Sequence, residues 1–169
     1  MKEMSEITSL NKIQEIHLNA HDWKQEEMNF VPLEGCWFAQ AEDGFDLDEK
    51  VNKFLSGDKK VLLLLGDSGA GKSLYTQGLA HRLWQSYEAQ NPIPLWCSLP
   101  SLKNPENNLV QNYLQSFGLN ETEIETLKKT KSFIFILDAY DEIRVLKNLF
   151  VSNALSEWNA KIKIGRAHV

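Results

Sequence analysis

Apolar positions along the chain change period several times, and each change predicts an element. Residues 1–29 are mostly polar, yet Ile7, Leu10, Ile13 and Ile16 recur every third position, which predicts one weakly amphipathic helix. Residues 30–44 carry the breakers Pro32, Gly35 and Gly44 among Phe30, Trp37 and Phe38, and read as an ordered loop or short strand. Leu47, Val51, Phe54 and Leu55 then share a helical face. Asp46 is placed to cap that helix with Glu49 as reciprocal partner, and Gly57 to end it. Residues 59–65 form a short, nearly continuous apolar run between Gly57 and Gly66, the pattern of a strand buried on both faces of a parallel sheet.

Strand and helix signals alternate from there. Tyr75, Leu79, Leu83 and Tyr87 repeat at four-residue spacing, and Pro92 and Pro94 stop that helix. Residues 95–99 are a second strand signal. Leu109, Val110, Tyr113, Leu114 and Phe117 mark a helix closed by Gly118, and Asn120 caps a short one through Lys128. Residues 132–137 are a third buried strand. Leu146, Leu149, Phe150, Leu155 and Trp158 suggest a last helix, and residues 161–164 a fourth strand. This order predicts an α/β domain with a parallel sheet and helices on both faces.

Composition narrows the partners. The 169 residues are 43% hydrophobic and 24% charged, ordinary for a soluble globular protein. The net charge of −5, without a basic run, argues against nucleic acid as the main partner. The longest strictly apolar runs are far too short to span a bilayer, and no signal peptide is legible, so a cytoplasmic location is expected. Cys36 and Cys97 belong to no ligand cluster and read as reduced thiols. His17 and His21 have a metal-like spacing without a further ligand, and His81 reads as a surface or packing residue.

One glycine-rich segment carries chemistry. Gly66, Asp67, Ser68, Gly69, Ala70, Gly71, Lys72 and Ser73 match G-x-x-x-x-G-K-[ST] at every fixed position, between a predicted strand and a predicted helix. The glycines let backbone N–H groups turn inward around phosphate oxygens. Lys72 is placed to reach the β- and γ-phosphates, and Ser73 to offer its hydroxyl to Mg²⁺. The helix beginning there aims its positive end at the same anion. The expected cofactors are therefore ATP or GTP with Mg²⁺.

The third strand runs straight into Asp138, where a P-loop domain needs a carboxylate for Mg²⁺. Asp141 and Glu142 follow. They are candidates for polarising the water that attacks the γ-phosphate, Asp141 foremost with Glu142 assisting. Acids at a helix start, favoured by its dipole, are the competing account of one of the pair.

These residues resemble a known family. The sequence GDSGAGKS, then PLWCSLPSL, then FIFILDAYDEI is similar to the NACHT domain of the STAND class of signalling NTPases. The second motif is the diagnostic one: D-[small]-x-D-E appears as Asp138, Ala139, Tyr140, Asp141 and Glu142. The resemblance covers residues 46–163. It implies a switch that binds nucleotide, hydrolyses it slowly, and couples its state to other domains of a longer chain and to self-association. An AAA+-like P-loop ATPase and a nucleotide-binding module without turnover are the alternatives.

On this reading residues 1–45 are a linker or the end of an upstream region, and residues 46–163 the front part of the NTPase core. Residues 164–169 resemble one reading frame of a sequencing adapter and are expected to be a non-native tail, so no role is given to Arg166 or His168.

Overall fold

The computed structural model describes residues 2–19, 34, 35, 44–67, 69–143 and 148–167, with the backbone alone described for residues 2–7, 34, 35 and 163–167. Helix α1 spans Lys2–Asn19. The two-residue strands β1 (Glu34–Gly35) and β2 (Phe45–Asp46) pair antiparallel. Helix α2 (Leu47–Ser56) follows, then β3 (Val61–Gly66), α3 (Lys72–Gln85) and β4 (Ile93–Ser98). Helices α4 (Leu109–Ser116) and α5 (Glu121–Thr130) lead to β5 (Phe133–Asp138). Helix α6 is one turn, Leu149–Ser152, and β6 is Ala160–Ala167.

The four longer strands form one parallel sheet in the order β3-β6-β5-β4. The last strand in sequence thus inserts between the strand before the glycine loop and the strand ending in Asp138. Registered residues of parallel strands share a face. One face carries Phe133, Phe135 and Ile162, which join Ile13, Trp84, Leu109, Leu114, Ile124, Leu127, Leu155 and Trp158 in the larger core. The other face buries Ile134 and Ile136 with Leu47 and Val51 of α2 and Tyr75 and Leu79 of α3. Helices cover both faces, as the alternating pattern predicts.

Helix ends follow their capping chemistry. Asp46 accepts the backbone N–H of Glu49 at 3.1 Å. The reciprocal pair forms at Asn120 and Glu123, with bonds of 3.0 and 2.8 Å. Lys161, at the start of β6, donates its ammonium to the carbonyls of Phe54, Leu55 and Gly57, the last acceptors of α2. A cation suits that helix end, and the bonds tie α2 to the sheet. Helix α1 packs its buried Ile13 into the larger core beside Trp84, whereas Ile16 is exposed, so three-residue spacing only partly describes its inward face.

Several expectations are corrected. Val61, Leu63 and Leu65 are 44–48% exposed, so β3 is not buried on both faces. It is an edge strand, and helices cover the side that holds Leu62 and Leu64. The helix expected through Leu155 and Trp158 breaks at Asn153 and Ala154, and Leu155–Glu157 is a 3-10 turn. Ala154 has φ 47°, and the Asn153 amide bonds to the loop before α4 instead of facing solvent. Helix α3 stops at Gln85, before Tyr87. Leu146, Trp37, Phe38, Cys36 and His21 lie outside the described residues.

Pro94 lies inside β4 instead of ending a helix before it, which is tolerated because β4 is the other edge strand. Backbone pairing of β6 with β3 continues to Ala167 opposite Gly66, beyond the expected 161–164 strand.

Candidate functional site

Gly66 closes β3, and the chain then turns through Asp67, Gly69, Ala70 and Gly71 into α3. Gly69 and Gly71 have φ of 80° and 78°, the left-handed region that glycine adopts without a Cβ penalty. Gly71 is the N-cap of α3 and carries no capping side chain, so the first-turn N–H groups of this helix face the loop. A Cβ at Gly69 would meet nothing within 4 Å, so its glycine serves backbone conformation, not clearance. Ala70 N–H donates to Asp67 O at 3.2 Å, closing the turn.

Lys72 folds over this loop. Its ammonium donates to the carbonyls of Gly66 at 2.8 Å and Asp67 at 2.7 Å. The charge thus stands at the loop that the N–H groups line. Ser73 follows on the exposed first turn of α3. Ser68 lies outside the described residues.

Asp138 ends β5 and is 4% exposed. A buried carboxylate is costly unless it is hydrogen-bonded or paired with a cation. Thr76 Oγ1, one turn into α3, donates to Asp138 Oδ1 at 3.3 Å and lies 3.0 Å from the Ser73 carbonyl. Trp96 Nε1 of β4 in turn donates to Thr76 Oγ1 at 3.1 Å. The helix that begins at the loop is therefore joined to the acidic strand end through one hydroxyl. Sequence reasoning missed Thr76, a lone threonine on a helix, and singled out no role for Trp96.

Ala139 takes φ 56° directly after Asp138, a left-handed conformation that costs any residue with a Cβ. Tyr140–Glu142 is a 3-10 turn, and Asp141 and Glu142 are exposed on it. Both acids thus stand at the C-terminal edge of the sheet, where Gly66 and the glycine loop also lie.

The donor set suits a phosphate anion and a hard cation. Backbone N–H groups and an ammonium line the loop. Ser73 carries a hydroxyl and Asp138 a carboxylate, oxygen donors of the kind a hard cation takes. Among the described residues no group of three or more His, Cys, Asp and Glu is placed to hold a metal ion. A cation at Ser73 and Asp138 would take its other oxygens from phosphate and water. Two described histidines lie elsewhere: His81 is buried on α3, and His17 is half-buried against the rings of Trp84, Tyr113 and Phe117. Among the described residues no helix is long and apolar enough to cross a membrane.

A model of the NACHT domain matches residues 60–164, more than half of the chain. No curated protein and no solved structure matches it.

Proposed function

The chain belongs to the NACHT family of nucleotide-binding P-loop NTPases, and from that premise we propose that it binds ATP with Mg²⁺ and hydrolyses it slowly. The domain acts as the switch of a STAND-type signalling protein in the cytoplasm. The observation that supports this reading is the contact of Thr76, on the helix that Lys72 and Ser73 begin, with the buried Asp138 at the end of β5.

Each group has a role. The backbone N–H groups from Gly66 to Ser73 enclose phosphate oxygens, and Lys72 exchanges its two carbonyl acceptors for the β- and γ-phosphates. Ser73 and Asp138 would hold Mg²⁺, which would supply neutralisation of charge on the phosphates when bound. Asp141 and Glu142 orient a water toward the γ-phosphate and accept its proton. GTP is the alternative nucleotide. The switch works through other domains of a longer chain and through self-association, with residues 46–163 as its core.

Phosphate release from ATP by the full chain tests the assignment. Asp141→Ala and Glu142→Ala should keep nucleotide affinity, and at least one should lose turnover by ~10²-fold or more. Turnover at the unsubstituted rate in both variants would overturn the role given to these acids.

A further inference from the structure

The geometry points to Thr76 and Trp96 as positioning residues that set the Asp138 carboxylate for its cation, an inference that rests on the reading of Asp138 as the Mg²⁺-holding acid. Thr76 is fully buried, and its hydroxyl meets three polar neighbours: Trp96 Nε1 at 3.1 Å, the Ser73 carbonyl at 3.0 Å and Asp138 Oδ1 at 3.3 Å. A hydroxyl has one proton, and an indole N–H can only donate. Trp96 therefore occupies a lone pair of Thr76 Oγ1. The single hydroxyl proton is left for Asp138 and the Ser73 carbonyl, its two acceptors.

Those acceptors belong to the two residues that hold the cation. Ser73 stands on the first turn of α3 and Asp138 at the end of β5, two strands away from β3 in the sheet. Thr76 bridges them and fixes the approach of helix to strand at that point. One donor uses only part of a carboxylate's accepting capacity, which leaves the remainder for a cation and its waters.

Trp96 is itself held. It lies opposite Ile136 in the β4–β5 ladder, and its carbonyl accepts the Tyr113 hydroxyl of α4. The indole thus reaches Thr76 from a fixed strand. Such partners behind a metal ligand commonly change metal affinity by about 10–100-fold when removed.

Equilibrium binding of a fluorescent ATP analogue to the full chain, measured from chelated to millimolar free Mg²⁺, tests this. Thr76→Val keeps the volume and removes the hydroxyl. It should raise the Mg²⁺ midpoint about 10-fold while leaving metal-free nucleotide binding unchanged. Thr76→Ser should restore the midpoint to within about 2-fold of the unsubstituted protein, because it keeps the hydroxyl. A purely structural role would instead weaken binding equally with and without Mg²⁺. If Thr76→Val does not fold, Trp96→Phe takes its place and should raise the midpoint in the same direction. Asp138→Asn is the control for the underlying reading. A shifted Asp138→Asn beside an unshifted Thr76→Val, or an unshifted Trp96→Phe in its place, overturns the positioning role. An unshifted Asp138→Asn overturns the cation assignment itself.

Discussion

The backbone N–H of Leu109 donates to Asn153 Oδ1 at 2.8 Å, a buried bond between residues 44 positions apart. The amide nitrogen of Asn153 donates in turn to the carbonyls of Pro105 at 2.9 Å and Leu149 at 3.1 Å. One side chain therefore starts α4, holds the loop before it and ends α6. Asn153→Ala would leave the Leu109 N–H and the Pro105 carbonyl without this partner, at a cost of about 2–3 kcal/mol. Urea denaturation should show that loss in the midpoint with an unchanged slope. A loss under about 0.5 kcal/mol would mean that water replaces the amide.

His17 predicts an acid-sensitive helix α1. Burial among Trp84, Tyr113 and Phe117 lowers its pKa below the ordinary 6.5, although its Nδ1 meets the Ile13 carbonyl at 2.8 Å and favours the charged form. Below pH 6.5 the unfolded chain takes a proton that the folded chain refuses. The stability that His17 contributes is thus whole above that pH and falls as pH drops toward the folded value. Melting temperatures between pH 7.5 and 5.5 should decline less steeply in His17→Phe than in the unsubstituted protein. Parallel profiles would contradict this assignment.

Cys97 should be inert in the folded protein. It is 1% exposed on β4, and burial pushes its thiol up to about 12. The thiolate is the reactive form, so alkylation at pH 8 should be slower than in the unfolded chain by on the order of 10³-fold. A Cys36→Ser background isolates the reading. Rapid labelling without denaturant would show that β4 opens readily.

Some of this was legible from local patterns and some was not. The glycine loop announces itself because its spacing is fixed by phosphate chemistry, and the run from Phe133 to Leu137 announces the strand that ends at Asp138. The run from Val61 to Leu65 is apolar at every position, so its sequence does not reveal that alternate residues are exposed. That follows from the place of β3 at a sheet edge, a non-local fact. Leu149, Phe150, Leu155 and Trp158 fit helical spacing, but the tertiary bonds of Asn153 override it. Thr76 and Trp96 lie 20 positions apart on different elements, and only the packing of α3 on β4 and β5 brings them to Asp138.

The central claim is that the loop from Gly66 to Ser73 holds a nucleoside triphosphate through Lys72. Equilibrium titration of the full chain and of Lys72→Ala with a fluorescent ATP analogue and Mg²⁺ tests it most directly. Charge-assisted bonds of this kind contribute about 1.5–3 kcal/mol, so the variant should bind at least ~10-fold more weakly with its fold intact. Equal affinity in the two proteins would contradict the account.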